Sequence, residues 1–299
     1  MKEEVVPQRC RILAPAKINL FLRVTGKRED GYHDLVTWMH KLTLCDTIDL
    51  EFGSGKGVCL HCDDPTLPTG AGNLVIKAVE AFLTALGKKT MPGLVIRLSK
   101  KIPVAAGLGG GSSDAGTVLR GLNKMFGTPF SGQHLVEIAR NIGADVPFFT
   151  TAWPSVIATG IGEVMKPIKP LAGYRVLLVN PGFPVSTAWV FEKFRLTTQS
   201  KNSTLSCFKS LDEICSNFSE MSNDLESVTF GKYPEVKEIR DALVEGGADL
   251  AMMSGSGPTV FGLFSVTDSQ RHDSVSHLAR FFRQRFGERV YVTDIDTGA

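Results

Sequence analysis

The sequence predicts an α+β fold in two domains, and three observations carry that expectation. The chain has 299 residues, roughly two average domains. After residue 166 its hydrophobic periods run strand, helix, strand, strand, helix, strand, which is the order of a ferredoxin-like layer. Before that point a loop of closely spaced glycines stands between a strand-like and a helix-like stretch. The expected domains are 1–165 and 166–299.

The elements follow in order. "RILAPAKINLFLRV" (11–24) alternates, with Ile12, Ala14, Ala16, Ile18, Leu20 and Leu22 on one face and Lys17, Asn19, Phe21 and Arg23 on the other. A turn-rich "TGKREDGYHDL" comes next, then "WMHKLTLCDTIDLEF" as further strand. "GNLVIKAVEAFLTAL" places Leu74, Ala78, Val79 and Phe82 at helical spacing behind Asn73, a capping residue. "GLVIRLSKKIP" reads as a strand ended by Pro103. Beyond the glycine loop, Ala115, Val118, Leu119, Leu122, Met125 and Phe126 keep a helical stripe. "SGQHLVEIARNIG" is a second helix with Gly143 at its end, and Pro147 is expected to push Val146 out of helical geometry. That leaves Asp145 on an exposed tight turn. In the second half, "GYRVLLVN", "LAMMSGS", "PTVFGLF" and "RVYVTDID" read as strands. "STAWVFEKF", "YPEVKEIRDALVEGG" and "SQRHDSVSHLARFFRQRF" read as helices.

Composition excludes several classes. With 43% hydrophobic and 21% charged residues a full core is available, and disorder is excluded. A net charge of +2 is too balanced for a nucleic-acid or membrane-surface protein. No apolar run reaches the ~18 residues that a membrane span requires. The six cysteines, at 10, 45, 59, 62, 207 and 215, include one metal-like pair, "CLHC", without the second pair a structural zinc needs. No metal-ligating residues are assigned. Scattered thiols and an N-terminus unlike a signal peptide point to a cytoplasmic protein.

The most informative stretch is "KKIPVAAGLGGGSSDAGTVL" (100–119). A helix N-terminus carries unpaired N–H groups and partial positive charge, so it favours phosphate. Glycines ahead of it let a ligand approach the backbone, and Ser112 and Ser113 add hydroxyls for phosphate oxygens or Mg²⁺. The loop matches neither G-x-x-x-x-G-K-[ST], since no lysine follows the glycines, nor G-x-G-x-x-G. Cationic help must come from elsewhere, and Lys17, Lys100 and Mg²⁺ are the candidates.

"PVAAGLGGGSSDA" resembles the second motif of the GHMP small-molecule kinases, which include galactokinase, homoserine kinase and mevalonate kinase. "PAKINLFLRVTGKREDGYHDL", "GADVPFF" and "MSGSGPTVFGLF" resemble the branch of that family acting on 4-diphosphocytidyl-2-C-methyl-D-erythritol. The resemblance runs from about residue 11 to 265. It implies an N-terminal ribosomal-protein-S5-like nucleotide domain that carries catalysis and a C-terminal ferredoxin-like domain that adds substrate contacts. The implied reaction is transfer of the ATP γ-phosphoryl to the substrate's 2-hydroxyl, with Mg²⁺, in non-mevalonate isoprenoid synthesis. A monomer or weak homodimer is expected.

Residue by residue, the resemblance implies Lys17 and Asp145 as the catalytic pair. ATP falls to Pro103, Val104, Ala105, Ala106, Gly107, Leu108, Gly109, Gly110, Gly111, Ser112 and Ser113, with Asn73 and Lys100 near the adenine. Tyr32 and Phe191 sandwich the cytosine, His33 bonds its edge, and Asn19 and Thr187 contact the substrate. The stretch "SGSGP" (254–258) resembles the third motif. Two other readings stand beside this one. A different GHMP kinase would not need Tyr32, His33 and Phe191, and a nucleotide sensor that had lost catalysis would lack Lys17 or Asp145. The departures from the family pattern are Gly116 where alanine is usual, Thr159 where a larger polar residue is expected, and a polar segment at 195–222.

Overall fold

The computed structural model describes residues 8–90, 92–195, 218–267 and 269–298. Most of the polar 195–222 segment therefore lies outside the described residues. Two strands dominate the first half, β1 (Arg9–Lys27) and β2 (His33–Lys56), of 19 and 24 residues. Both far exceed the common strand length of about 5–6 residues. Each serves both of the chain's compact units. One unit takes the chain up to Ala16, Leu44–Ile102 and Gly109–Ala152; the other takes Lys17–Thr43, Pro103–Leu108 and everything from Trp153 onward.

In the first unit the later part of β2 pairs antiparallel with β4 (Pro92–Ser99), from Thr47 opposite Ser99 to Phe52 opposite Leu94. β3 (Val58–Cys62) lies parallel on the far side of β4. A parallel pair needs a crossover, and α1 (Leu74–Ala85) supplies it. Three further helices follow: α2 (Gly110–Met125), α3 (Gly132–Arg140) and α4 (Val146–Thr150). Ile48, Leu50, Leu94, Ile96 and Leu98 meet Val79, Phe82, Leu119 and Leu122 in one apolar core. Asn73 caps α1 as expected, its Oδ1 accepting the Val75 N–H at 2.9 Å.

In the second unit the first part of β2 pairs with β5 (Ser155–Gly160), which pairs in turn with β6 (Val164–Pro167). The rest is built on β7 (Tyr174–Val179), β8 (Leu250–Met253), β9 (Val260–Ser265) and β10 (Val290–Asp294). All pairings are antiparallel, in the order β10-β7-β9-β8. That is the ferredoxin-like sheet expected from the strand–helix order. Between β7 and β8 come α5 (Thr187–Lys193), α6 (Glu226–Lys232) and α7 (Pro234–Glu245); α8 (Ser269–Phe286) links β9 to β10. Val236, Ile239, Leu243, Leu278 and Phe282 pack on Leu177, Val179, Val260 and Val290.

Three expectations are corrected. β1 does not keep a wet face: from Ala16 to Leu22 every residue is buried, Lys17 and Asn19 included, because neighbouring segments cover both sides. Val146 is helical, the first residue of α4, with Pro147 in the first turn, where a missing N–H costs nothing. Asp145 does sit on the preceding turn, closed by Val146 N–H to the Gly143 carbonyl at 3.2 Å, but it is half-buried. β3, β5 and β6 have no clear sequence signal, being short strands beside turn residues.

Gly116 has a packing reason. A Cβ there would lie 2.7 Å from Phe149 Cβ and 3.0 Å from the Val146 carbonyl, so α2 and α4 touch at backbone distance. Alanine gains up to ~1 kcal/mol of helix propensity, but overpacking a core costs about 1–3 kcal/mol. Gly116→Ala is therefore expected to lower stability by about 1–2 kcal/mol in denaturant titration; an unchanged or raised midpoint would show that α4 yields freely.

Candidate active site

The second unit gathers the largest share of the expected site residues. Lys17 is only 4% exposed. Its backbone N–H donates to the Leu108 carbonyl at 2.9 Å, and its ammonium donates to Asn19 Oδ1 at 2.5 Å. Asn19 is held by Nδ2–H to Thr37 Oγ1 at 2.8 Å, and Thr37 donates to the Phe21 carbonyl. Ser254 Oγ donates to the Gly107 carbonyl at 2.9 Å and accepts the Asn19 N–H at 3.3 Å. The 103–108 segment is thus tied through its backbone to both β1 and the loop after β8.

Glycine is required at two points of this arrangement. Gly107, at φ +77°, has no room for a Cβ, which would run into the Ser254 carbonyl. Gly255, at φ +56°, lies under the lysine: a Cβ there would be 3.5 Å from Lys17 Nζ and 3.3 Å from Asn19 Oδ1. Of the remaining loop residues, Ala106 and Leu108 are buried, Pro103 is half-buried, and Val104 and Ala105 are exposed, Ala105 at φ +51°.

An aromatic cluster stands at the start of β2. His33 is buried and stacks on Phe191 at 5.4 Å between ring centroids, with Phe194 edge-on at 6.4 Å. Burial, and then the charge of Lys27, hold the His33 pKa below its ordinary value. A neutral imidazole carries one donor and one acceptor, which suits a polar ring edge. Tyr32 is 60% exposed on the turn before it, its N–H donating to Asp30 Oδ1. Thr187, at the start of α5, shares a hydrogen bond with Ser256 Oγ at 2.8 Å.

The first unit holds the helix end. Gly109 takes φ +70° just before α2, and Gly110, Gly111 and Ser112 form its first turn, whose amides have no intrahelical acceptor. Gly111 is exposed and Ser112 half-exposed, whereas Ser113 is fully buried and its hydroxyl has no partner. Asp145 stands before α4 in the same unit.

Lys100 lies beneath Gly110, 3.5 Å from where its Cβ would be. Its ammonium binds Asp46 Oδ2 at 2.5 Å and Asp114 Oδ2 at 2.6 Å, with all three side chains nearly buried. Asp46 Oδ1 also accepts the N–H groups of Lys101 and Ile102. Burial pushes the Asp114 carboxyl up to about 7, against the pull of Lys100, because Asp46 already shares that cation. Neither aspartate stands out in the sequence; Asp114 lies inside the glycine motif, in a helix otherwise read for its apolar stripe.

Comparison with known proteins decides the family. Residues 73–152 match the GHMP kinases N terminal domain and residues 201–288 the GHMP kinases C terminal domain. A 4-diphosphocytidyl-2-C-methyl-D-erythritol kinase from Desulfotalea psychrophila is 41% identical over 286 residues, covering 96% of this chain and 95% of that protein. The chain belongs to the 4-diphosphocytidyl-2-C-methyl-D-erythritol kinase family. A crystal structure of 4-(cytidine 5'-diphospho)-2C-methyl-D-erythritol kinase superposes with a TM-score of 0.77 at 32% identity, over 96% of this chain and 99% of that one. Homoserine kinase from Cytophaga hutchinsonii shares the fold, with a TM-score of 0.74 at 17% identity over 99% and 98% of the two chains. This kinase is accordingly a small-molecule phosphotransferase of GHMP architecture that uses ATP.

The Asp114 carboxyl titrates above its ordinary value, so its share of the stability is present at low pH and is lost as pH rises from about 4 through about 7. Asp114→Asn keeps an acceptor for Lys100 and removes that titration. Its thermal midpoint, relative to the parent kinase, is expected to improve between pH 5 and about 7 and to level off above that in buffered melts. A constant offset across that range would show that the carboxyl does not titrate there.

Proposed function

We propose that the chain transfers the γ-phosphoryl group of ATP to the 2-hydroxyl of 4-diphosphocytidyl-2-C-methyl-D-erythritol, giving the 2-phosphate and ADP, with Lys17 and Asp145 as the catalytic pair. The observation that carries the assignment of residues is Lys17, a lysine withdrawn from water at mid-strand and anchored through Asn19. Asp145 orients the acceptor hydroxyl and takes its proton. Carboxylates are weak bases for alcohols, but phosphoryl transfer passes through a loose transition state and demands little early deprotonation. Lys17 offsets the charge that develops on the transferred group. The α2 helix end, through Gly109, Gly110, Gly111 and Ser112, receives the phosphates. Asn73 and Lys100 border the adenine.

Among the described residues no group of three carboxylate, histidine or cysteine side chains could cage a metal ion. Mg²⁺ does not need such a cage, since it is commonly held by nucleotide phosphates and one or two protein oxygens. Ser112 and Asp145 are oxygen donors of that kind. Bound on the nucleotide, Mg²⁺ would neutralise phosphate charge. Tyr32 and Phe191 hold the cytosine, with the neutral His33 against its edge and Thr187 and Asn19 toward the rest of the substrate. The reading places the kinase in the cytoplasm, where the thiols of Cys10, Cys45, Cys59 and Cys62 remain reduced. It acts there as a monomer or weak homodimer.

The test is ADP release with Mg²⁺, ATP and 4-diphosphocytidyl-2-C-methyl-D-erythritol, with homoserine, mevalonate and galactose in parallel and Asp145→Asn as the blank. Turnover is expected on the cytidyl substrate alone, and Asp145→Asn is expected to abolish it; turnover on another of these alcohols would remove the cytosine assignment. Base–aromatic stacking is worth about 1–3 kcal/mol, so Phe191→Ala is expected to raise KM for the cytidyl substrate by about ten-fold or more while leaving KM for ATP unchanged. An equal rise for both substrates would place Phe191 outside the cytosine pocket.

A further inference from the structure

The tetrapeptide Asn223-Asp224-Leu225-Glu226 precedes and opens α6, and its polar side chains are spent on backbone groups of two other segments. Asn223 is buried, and its Nδ2 donates to two carbonyls, Met253 at 2.8 Å and Gly255 at 2.7 Å. Its Oδ1 accepts the Leu225 N–H at 3.0 Å. Asp224 Oδ2 accepts the Val24 N–H, and Glu226 Oε1 accepts the Met253 N–H. The backbone joins in. Leu22 N–H donates to the Ser222 carbonyl and Asp224 N–H to the Leu22 carbonyl, so this stretch forms a bridge on β1. One short segment therefore grips β1 just beyond Lys17 and Asn19, and also grips the loop that runs beneath them.

The two carbonyls on Asn223 matter because of what Gly255 does. At φ +56° it faces the Lys17–Asn19 pair: a Cβ built on it would lie 3.5 Å from Lys17 Nζ and 3.3 Å from Asn19 Oδ1, so its backbone runs beside the ammonium. A peptide in that conformation can rotate, and a glycine has little to stop it. Asn223 fixes the carbonyls on both sides of Ser254 with the two hydrogens of one planar amide, so their directions are set together. We infer that Asn223 is a positioning residue for the phosphoryl transfer: it holds the Gly255 peptide, and through it the seat of the Lys17 ammonium. This inference rests on the reading of Lys17 as catalytic.

Asn223→Asp tests it with almost no change of shape. Aspartate keeps the acceptor for Leu225 but turns an oxygen toward both carbonyls in place of the donating NH₂. Misplacing a reacting group by about 1 Å can cost roughly 100-fold. The variant is expected to lose about 10- to 100-fold in kcat, with KM for both substrates within about three-fold and a folded circular-dichroism spectrum at the assay temperature. A purely structural role would lower the melting midpoint and leave kcat per folded molecule alone. The deciding readout is a double-mutant cycle with Lys17→Met. If Asn223 acts through Lys17, Asn223→Asp adds nothing in the Lys17→Met background. Multiplying losses, or a single-variant kcat within two-fold of the parent, would overturn the inference. Near-parental turnover by Lys17→Met would instead overturn the catalytic reading of Lys17 itself. Asn223→Ala, which removes the donors without adding charge, carries the same cycle should the aspartate variant not fold.

Discussion

A lysine ammonium cannot be withdrawn from water in the middle of a strand unless polar groups meet it there, and the second unit is arranged around that constraint at Lys17. Desolvating an unanswered charge costs several kcal/mol. Asn19 Oδ1 meets this one, and Thr37 holds Asn19 in turn. This contact orients the Lys17 ammonium. The same strand residue gives its backbone N–H to Leu108, which ties the end of the 103–108 segment to the strand that carries the lysine.

The second demand is close approach of backbones. Where Gly107 meets Ser254 main chain lies against main chain with no space for a Cβ, and Gly255 passes under Lys17 at a positive φ that side chains rarely adopt. Such contacts bring peptide dipoles near a ligand but contribute little apolar burial. Hydrogen bonds must therefore hold them. Ser254, Asn223, Thr187 and Thr229 supply these to the 253–257 loop, together with the Glu226 carboxyl at Met253.

What could be read beforehand divides by range. Helices declared themselves through local period and caps: Asn73 before α1, Ser131 before α3 and the stripe from Ala115 to Met125 are signals within a few residues of one another. The ferredoxin-like order was legible for the same reason. Lys17 and Asn19 were visible as residues but misjudged as environment, because alternation shows which side chains share a face and not what covers that face. Asp46 and Lys100 are 54 residues apart in sequence, and Asn223 and Leu22 about 200. Nothing local marks such pairs. Resemblance to a family supplied the proposed catalytic residues, and it supplied no hint of the groups that hold them.

The two units handle buried charge differently, and the difference bears on which lysine does chemistry. In the first unit Lys100 is shared by the Asp46 and Asp114 carboxyl groups, so its charge is answered within the fold. In the second, the loop after β8 is braced by Glu226, which accepts the Met253 N–H. Burial pushes that carboxyl up to about 7, so below that pH the brace is a neutral acid. On the proposed reading Lys100 and Lys17 divide the work: Lys100 holds the floor of the glycine loop in shape, and Lys17, steered by an amide, acts on the transferred phosphoryl group.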